Sequence, residues 1–325
     1  MLSLSDCKDH KIWNDFLAKE KDNQLITIAH NPSLGAILEK TFGYSSKNSL
    51  LLKDEKVIGV MPMVKVRGRA ISIPHFSYGG PVLDSRENIK LNLNSLFKGR
   101  KFEIRGFSKL TNYFNDQKII AVVKLGESTE DQIMGLRASF RRKIRSAEKK
   151  SFITRRGGIE LLDDFYSVYS QKMLEKGSPP LGKVFFHNLL SYYQYGEVMI
   201  TVLYDNDTIV SAGFTLSYLG FNELCWASSI REYDKFNVNS LMYWRIIQDS
   251  ILKGYTYFSM GRSTKNSTNH LYKKQWRPLE IPIYFNYSEK RAILLKECTF
   301  LNNLWKQQPL TLSVFFGHQI SKYVY

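Results

Sequence analysis

Hydrophobic and polar positions follow one order in the first part of the chain and repeat much of it in the second. Residues 10–43 predict two short helices, the second running through LGAILEKTFG to a C-terminal glycine. NSLLLK and KVIGVMPMVKV then alternate apolar with polar residues, which predicts strands, and AISIP predicts a third. A helix over ENIKLNLNSLF and the strands KFEIRGF and KIIAVVKL complete a first α/β unit near residue 125.

The stretch from Thr129 to Lys150 changes to a helical period and predicts one long helix. Its apolar stripe consists of Ile133, Leu136, Phe140, Ile144 and Ala147. Its other faces carry basic residues that are nearly unopposed by acid. A solvated surface is one interpretation, but solubility helices normally mix charge signs, so the one-sided charge favours contact with an anion. The candidate anion-binding residues are Arg141, Arg142, Arg145 and Lys149.

After residue 155 the pattern restarts. The helices LLDDFYSVYSQKMLEKG and VFFHNLLSYYQYG precede the strands EVMITVLYD, TIVSAGFTLSYL and ELCWASSI. A helix over NSLMYWRIIQDSILKG, the strand YTYFSM, a short helix and the strand PLEIPIYFNY follow. Because both parts share one order of elements, we expect an α/β (α+β) protein of two similar modules, 1–128 and 156–325, with their sheets side by side. The basic helix, within 129–155, links them.

Length and composition agree with a globular protein of two domains. The chain has 325 residues, of which 43% are hydrophobic and 14% aromatic, enough for sizeable cores. We find no apolar run near the roughly 20 residues of a membrane span, and no signal-peptide pattern at the N-terminus, so we expect a cytoplasmic protein. The three cysteines, Cys7, Cys225 and Cys298, are far apart, which predicts reduced thiols.

The net charge of +16 indicates an anionic partner: nucleic acid, phospholipid head groups or a phosphate-bearing substrate. Charge alone does not choose among these. The six histidines are scattered without metal-ligand spacing, and no nucleophile or phosphate-binding motif is present, so we expect neither a metal nor a tightly bound cofactor.

One polar segment, GRSTKNSTNHLYKKQW at 261–276, stands out after a hydrophobic strand. Gly261, Arg262 and Ser263 end that strand at the edge where ligand crevices form in open α/β sheets. Glycine allows close backbone approach, and the arginine fork suits phosphate or carboxylate. A structural ion pair is an equally good interpretation of Arg262.

Five motifs in register resemble the Fem family of aminoacyl (peptidyl) transferases in the GNAT superfamily. They are YGGPV at 78–82, SFRRKIRSAEKK at 139–150, FYSVYSQKM at 165–173, CWASS at 225–229 and the GRS…YKKQW block. The closest resemblance is to Fem-related proteins found with bacterial exopolysaccharide and envelope gene sets. It implies two tandem GNAT-like domains and transfer of an amino acid from aminoacyl-tRNA to an envelope precursor.

The resemblance also implies a reaction centre at Tyr272 and Lys273, with Trp276 closing the motif. A lysine ammonium stabilises a developing oxyanion, and a tyrosine stacks on the donor or relays a proton. Lys274 points to another helix face, toward phosphate or solvent. Without the resemblance, these residues would fit a surface helix packed by its aliphatic stems. The sequence departs from the family's usual pattern at Thr268, Asn269 and Arg277, and these differences leave the substrate undefined.

Three further residues are candidates for substrate binding. Asn239 precedes a helix, where N-capping is the simpler interpretation and anion binding the functional one. Tyr78 and His75 belong to a glycine-rich loop that is predicted to face a cleft, although a packed or surface role also fits His75. The segment REYDKFNVNS, where acetyl-CoA-dependent relatives have a glycine-containing turn, contains no glycine, which disfavours acyl-CoA as donor.

Three functions remain open from the sequence. The preferred one is a Fem-like transferase that forms an amide on an amino group of a peptidoglycan or polysaccharide precursor, lipid- or nucleotide-linked, at the inner face of the membrane. Its basic residues would serve tRNA, donor phosphates or anionic lipid. The second is an acyl-CoA-dependent N-acyltransferase of an amino sugar. The third is a non-catalytic protein that binds nucleic acid or membrane on a GNAT-like scaffold.

Overall fold

The computed structural model describes residues 2–290 and 299–323, which form thirteen strands and eleven helices. The strands are β1 (Leu2–Asp6), β2 (Ser45–Lys53), β3 (Lys56–Val66), β4 (Arg69–Ile71), β5 (Val82–Leu83), β6 (Phe102–Gly106), β7 (Tyr113–Lys124), β8 (Ile153–Gly157), β9 (Val198–Asp205), β10 (Thr208–Tyr218), β11 (Phe221–Ser229), β12 (Tyr257–Thr264) and β13 (Leu279–Tyr287). The helices are α1 (His10–Glu20), α2 (Ser33–Phe42), α3 (Leu93–Phe97), α4 (Thr129–Met134), α5 (Ala138–Glu148), α6 (Leu162–Glu175), α7 (Lys183–Tyr192), α8 (Val238–Leu252), α9 (Thr268–Lys274), α10 (Thr299–Lys306) and α11 (Leu310–Ser321).

All thirteen strands belong to one mixed sheet. Its order is β1-β2-β3-β4-β6-β13-β7-β12-β11-β10-β9-β8, and β5 pairs with β3. We expected two sheets side by side; instead, β13 of the C-terminal half lies between β6 and β7 of the N-terminal half. The strand pattern shows which face of a strand is buried but not which neighbour pairs with it, so this exchange was not predictable.

The order of strands is symmetric about the central β13–β7 pair. Within the described ranges, only two pairs are parallel, β4 with β6 and β11 with β12, and they occupy equivalent places in the two halves. The predicted mixed α/β fold is confirmed. The exact domain boundaries at 128 and 155 stay predictions.

Strand β7 is buried on both faces and joins two of the cores. Ile120 and Val122 contribute to a large core that extends from α1 and α2 to α6 and α7. Ile119, Ala121 and Val123 point the other way, into a core formed with α5 and α8. Since successive side chains of a strand alternate between faces, this central strand fixes the helical layers on both sides of the sheet.

The prediction of one continuous helix over 129–150 is wrong, because the structure has two helices with a break between them. α4 ends at Met134, α5 begins at Ala138, and Arg137 between them is extended. Gly135, a poor helix former, follows the last residue of α4. The carbonyl groups freed at this break are bound by arginines: Arg141 donates to Met134 and Leu136, and Arg277 donates to Gly135. Residues 153–155, assigned to the linking helix, belong instead to strand β8.

The apolar stripe of that segment was predicted correctly. Leu136, Phe140, Ile144 and Ala147 are buried, and Ile133 packs against the same core. The helix predicted over ENIKLNLNSLF is shorter than expected, because the side chain of its Asn92 accepts a hydrogen bond from the Ser95 amide and caps α3 there. Strand β1 and the C-terminal helices α10 and α11 were not predicted. Among the described residues, no helix is long and apolar enough to cross a bilayer.

Candidate functional site

The C-terminal half of the sheet opens where β11 and β12 separate. These strands are paired at three positions only, the last being Glu223 opposite Ser259. Beyond this point both strands are irregular: the register of β11 shifts opposite Phe214 and Thr215, and that of β12 shifts between Ser259 and Arg262. Bulges bend strands and are frequent beside active sites. The opening is therefore part of the sheet itself.

Gly261 makes the bulge in β12 possible. Its φ is +68°, a conformation that favours glycine, and an added Cβ would lie 3.4 Å from the carbonyl oxygen of Leu224. From the sequence we interpreted this glycine as allowing a substrate to approach, whereas its conformation gives a backbone reason for it. The bulge brings the carbonyl oxygens of Gly261 and Arg262 to one donor, the ammonium of Lys273.

Lys273 lies on α9, which begins after Ser267, whose side chain accepts a hydrogen bond from the His270 amide. Only 3% of Lys273 is exposed. Its Nζ donates to the carbonyls of Gly261 and Arg262, each at 3.1 Å, and these are its hydrogen bonds within the described residues. Burial lowers its pKa to about 7, against the opposing charge of Glu223. One N–H thus remains for another acceptor.

Glu223 faces this lysine and was missed by the sequence analysis. It is 2% exposed and accepts hydrogen bonds from the hydroxyls of Tyr78 and Ser259. Burial raises the pKa of the carboxyl to about 7, although those hydrogen bonds and the charge of Lys273 lower it. A charged residue within the apolar strand FNELCWASS was the available signal. Strongly perturbed carboxyl and amine pKa values in one place indicate a functional site.

Two arginines with different surroundings lie beside this centre. Arg105 and Glu103 form an ion pair of 2.8 Å, and both are 1% exposed. The guanidinium of Arg262 has no hydrogen bond or salt bridge within the described part of the chain and lies 5.7 Å from the ring centre of Phe285. Burial and the charge of Arg105 lower the pKa of Arg262 to about 10, so it stays protonated at neutral pH.

Arg262 also borders a cavity of about 580 Å³. His75, Arg105 and Trp226 line the same end of it. Residues from α6, the loop that follows it, α10 and α11 form the other walls. Arg262 forms no ion pair with the described residues, so its interpretation as a structural ion pair is not supported. Because its side chain borders the cavity, anion binding is the better interpretation.

Five of the predicted site residues lie in two neighbouring groups. Tyr78, Gly261 and Lys273 meet around Glu223, while Arg262 and His75 border the cavity. The Nε2 atom of His75 lies 3.1 Å from the Tyr44 hydroxyl, and its ring stacks on Phe42 with centres 4.4 Å apart. His75 thus has a packed environment and faces the cavity as well.

Tyr272 and Trp276 lie on the side of α8. The Tyr272 hydroxyl is 3.2 Å from the hydroxyl of Ser240 in the first turn of α8, and burial raises its pKa to about 12. Trp276 is 2% exposed and packs edge-on against Phe140, with ring centres 4.9 Å apart. The structure does not bring the Tyr272 hydroxyl to the partners of Lys273.

Ser263 and Asn239 contribute no side chain to the centre. Ser263 accepts a hydrogen bond from Asn269 at 3.2 Å. Asn239 is half-buried in the first turn of α8, and the residue at the N-cap position, Asn237, forms no side-chain cap bond. The N-capping interpretation of Asn239 therefore fails.

The predicted anion-binding residues differ in whether their side chains are exposed or already bonded to other residues. Arg142, Arg145 and Lys149 are exposed on α5. Arg141 is engaged with the main-chain carbonyls of the break before α5. Lys274 pairs with Glu280 at 3.3 Å on the surface. The exposed basic face of α5 is therefore narrower than expected.

Cofactor candidates are few in the described ranges. No group of three or more His, Cys, Asp or Glu side chains is placed to hold a metal ion there. Cys7 and Cys225 are free thiols, and Cys298 lies outside the described residues. The segment REYDKF between β11 and α8 forms a 3₁₀ helix, Arg231–Phe236, so several of its amides are already bonded within the chain.

Comparison with known proteins agrees with this architecture. Residues 135–274 match the family model of the acetyltransferase (GNAT) domain. The solved structure of FemX is 13% identical, covers 94% of this chain and 100% of its own, and has a TM-score of 0.62. A tandem GNAT protein from the clavulanic acid biosynthesis pathway is 8% identical, with a TM-score of 0.55 over 90% of this chain and 100% of its own.

The C-terminal domain of a putative lysylphosphatidylglycerol synthetase from Agrobacterium fabrum is 10% identical, with a TM-score of 0.54 over 85% of this chain and 92% of its own. No curated protein matches the sequence. At these identities the likeness concerns the fold. Residues 135–274 thus match a GNAT domain, and the chain shares the fold of FemX and of the tandem GNAT protein, which confirms the predicted fold with two GNAT-like halves.

Proposed function

We propose that the protein is an acyltransferase that forms an amide on an amino group of a cell-envelope precursor and takes an aminoacyl group from aminoacyl-tRNA. The observation that carries this proposal is the buried pair of Glu223 and Lys273 where β11 and β12 separate. Amide formation from an ester needs a base for the attacking amine and a positive charge for the developing oxyanion. The pair offers one of each.

In this mechanism, the acceptor amine attacks the ester carbonyl of the donor and a C–N bond forms. Lys273, held by two main-chain carbonyls, donates its remaining N–H to the oxyanion. The proton lost by the amine passes to Glu223, and Glu223 returns it to the ester oxygen, which leaves as a hydroxyl group when the C–O bond breaks. Tyr78, hydrogen-bonded to Glu223, holds that carboxylate in place. Arg262 binds an anionic group of a substrate.

Aminoacyl-tRNA is favoured over acyl-CoA as donor by the segment between β11 and α8. It lacks glycine and forms a 3₁₀ helix with amides bonded within the chain, so the backbone is less available for close approach to a pyrophosphate. The exposed basic residues of α5 offer a surface for a polyanion such as tRNA. FemX and the putative lysylphosphatidylglycerol synthetase share the fold, which agrees with this choice.

The proposal is tested by a transfer assay with two donors. Purified protein is incubated with an envelope-precursor extract and either tRNA charged with radiolabelled amino acids or radiolabelled acetyl-CoA. We expect label to pass from tRNA to the precursor in an alkali-resistant amide. Transfer from acetyl-CoA alone would support the N-acyltransferase alternative. No transfer from either, with tRNA binding intact, would support the non-catalytic alternative. Mass spectrometry of precursors from a deletion strain, lacking the added aminoacyl residue, gives an independent readout.

A further inference from the structure

The cavity beside Arg262 has two chemically different ends. Its polar end is formed by Arg262, Arg105 and His75. The opposite walls are mainly apolar and include Met173 of α6 and Trp305, Leu312 and Phe316 of the C-terminal helices, with Asn302, Gln308 and Ser313 among them. Its volume of about 580 Å³ lies in the range of about 300–1,000 Å³ typical of small-molecule sites. A ligand that fills it must offer polar atoms at one end and hydrocarbon at the other.

The charge at the polar end selects an anion. No Asp or Glu side chain lines the cavity within the described residues. Arg105 already has a carboxylate partner in Glu103. Arg262 forms no hydrogen bond or salt bridge with the described residues, so its guanidinium is the cation available to a ligand. Arg262 is half-buried, and since charge-assisted hydrogen bonds of a guanidinium are strong, a phosphate or carboxylate placed there would be bound strongly.

The apolar wall is held against the rest of the protein by close backbone contacts. At Gly177 an added Cβ would lie 2.3 Å from the carbonyl oxygen of Asn302, and at Gly317 it would lie 2.6 Å from Pro180. The backbones of α10, α11 and the loop after α6 therefore approach as closely as only glycine permits. The Nε1 atom of Trp305 donates to Ser313 at 3.0 Å, which orients its ring. The cavity is a built feature of the fold.

We propose that this cavity binds an anionic amphiphile, with its phosphate or carboxylate at Arg262 and its hydrocarbon chain between Trp305 and Phe316. The inference rests on the proposed function in one respect: the amphiphile would be the acceptor, which makes the envelope precursor lipid-linked rather than nucleotide-linked. The mainly apolar lining favours this, because a hydrocarbon chain matches Met173, Leu312 and Phe316 better than the polar atoms of a base and a sugar do.

The test measures binding directly, without donor or transfer, by calorimetry and by the fluorescence of the tryptophans that line the cavity. The ligands are dodecyl phosphate and dodecanoate below their micelle concentrations, neutral dodecyl maltoside, inorganic phosphate and uridine diphosphate. We expect dodecyl phosphate or dodecanoate to bind much more tightly than inorganic phosphate or the maltoside. The stronger of the two anionic amphiphiles identifies the head group. Tight binding of uridine diphosphate, with weak binding of both amphiphiles, would overturn the proposal.

Two pairs of variants locate the ligand. Arg262→Gln should weaken amphiphile binding about ten- to hundredfold, because a charge-assisted hydrogen bond is lost, while Arg145→Gln on the distant α5 should not. Phe316→Ser should weaken binding of all alkyl ligands, whereas Phe315→Ser should not, because its neighbouring and more exposed ring lies outside the cavity lining. Equal effects of Phe315→Ser and Phe316→Ser would show adsorption to an exposed apolar surface and would contradict the proposal.

The outcomes of this test and of the transfer assay are separable. Amphiphile binding that depends on Arg262 and Phe316, in a protein without transfer activity, would support the ligand site and contradict the proposed reaction. Transfer to a water-soluble precursor, without amphiphile binding, would do the reverse. Circular dichroism of each variant shows whether it is folded, and Trp305→Phe provides a second, milder change to the same wall.

Discussion

The two parallel strand pairs of the sheet, β4–β6 and β11–β12, occupy equivalent places, but the space beside them is filled in one half and open in the other. In the C-terminal half, the strands separate after Glu223 and Ser259 and leave an opening next to a cavity. In the N-terminal half, β4 ends at Ile71, and the following loop folds back against β6. An added Cβ on Gly80 of that loop would lie 2.7 Å from Cα of Gly106, so this opening is filled by the chain itself.

The filled half also supplies a part to the open half. The loop after β4 carries Tyr78, whose hydroxyl reaches Glu223 across 145 positions of sequence. The charges show the same division. Glu103 and Arg105 of the N-terminal half neutralise each other, whereas Glu223 and Arg262 of the C-terminal half have no such mutual pairing. The charged pair of the N-terminal half therefore has a structural role, whereas the charged residues of the C-terminal half can contact a ligand.

The largest expected effect concerns stability and the two arginines. Arg105→Met should destabilise the protein by about 3–5 kcal/mol, because it leaves the carboxylate of Glu103 buried without its partner. Arg262→Met should cost much less, since Arg262 forms no salt bridge with the described residues and only its longer-range attraction to Glu223 and Glu103 is lost. Urea denaturation of both variants measures this. Equal destabilisation would show that Arg262 is structural after all and would remove the contrast between the halves.

The next effect concerns catalysis and the two neighbouring lysines. Lys273→Ala should lower kcat by about 10²–10³, the usual loss for one oxyanion donor. Lys274→Ala, which removes an exposed pair with Glu280, should cost much less. Both are compared in one preparation with the donor that supports transfer. Lys273→Met retains the buried stem and serves where the alanine variant does not fold. Mild and equal losses would place both lysines outside the reaction.

A pH dependence of stability should single out Glu223. Burial raises its pKa from 4.5 to about 7, so the folded protein binds a proton that the unfolded chain releases between those values. Stability therefore falls as pH rises from about 4.5 to 7, by about 3 kcal/mol in total. Glu223→Gln should abolish this fall, while Glu103→Gln, in the paired half, should not reproduce the effect. Urea titrations at pH values across the interval measure it.

The smallest effect concerns the exposed basic surface of α5. Replacing Arg142, Arg145 and Lys149 with glutamine should weaken tRNA binding and flatten its salt dependence, by about 0.9 in the log–log slope for each lost phosphate contact on duplex nucleic acid. Arg141→Gln should act on stability instead, because Arg141 caps the end of α4. Unchanged tRNA binding of the triple variant at low salt would make α5 an ordinary solvated face.

The sequence by itself determined the features that depend on local patterns and on contiguous motifs. Helical periodicity placed Phe140, Ile144 and Ala147 in the core although the helix is interrupted at Gly135. The GRS…YKKQW block marked β12 and α9, and the order of motifs gave the Fem-like GNAT fold. Neither needed long-range information, because side-chain periods and motif spacing are set within a few turns of chain.

Only the tertiary structure decided which of those residues act together. It exchanged β7 and β13 between the halves, brought Tyr78 to Glu223, and placed the C-terminal helices over a cavity beside Arg262. It also showed that Arg141, a candidate anion-binding residue, binds main-chain carbonyls at the break before α5. Strand pairing and burial of charge depend on partners far apart in sequence, and hydrophobic pattern identifies a buried face without identifying what covers it.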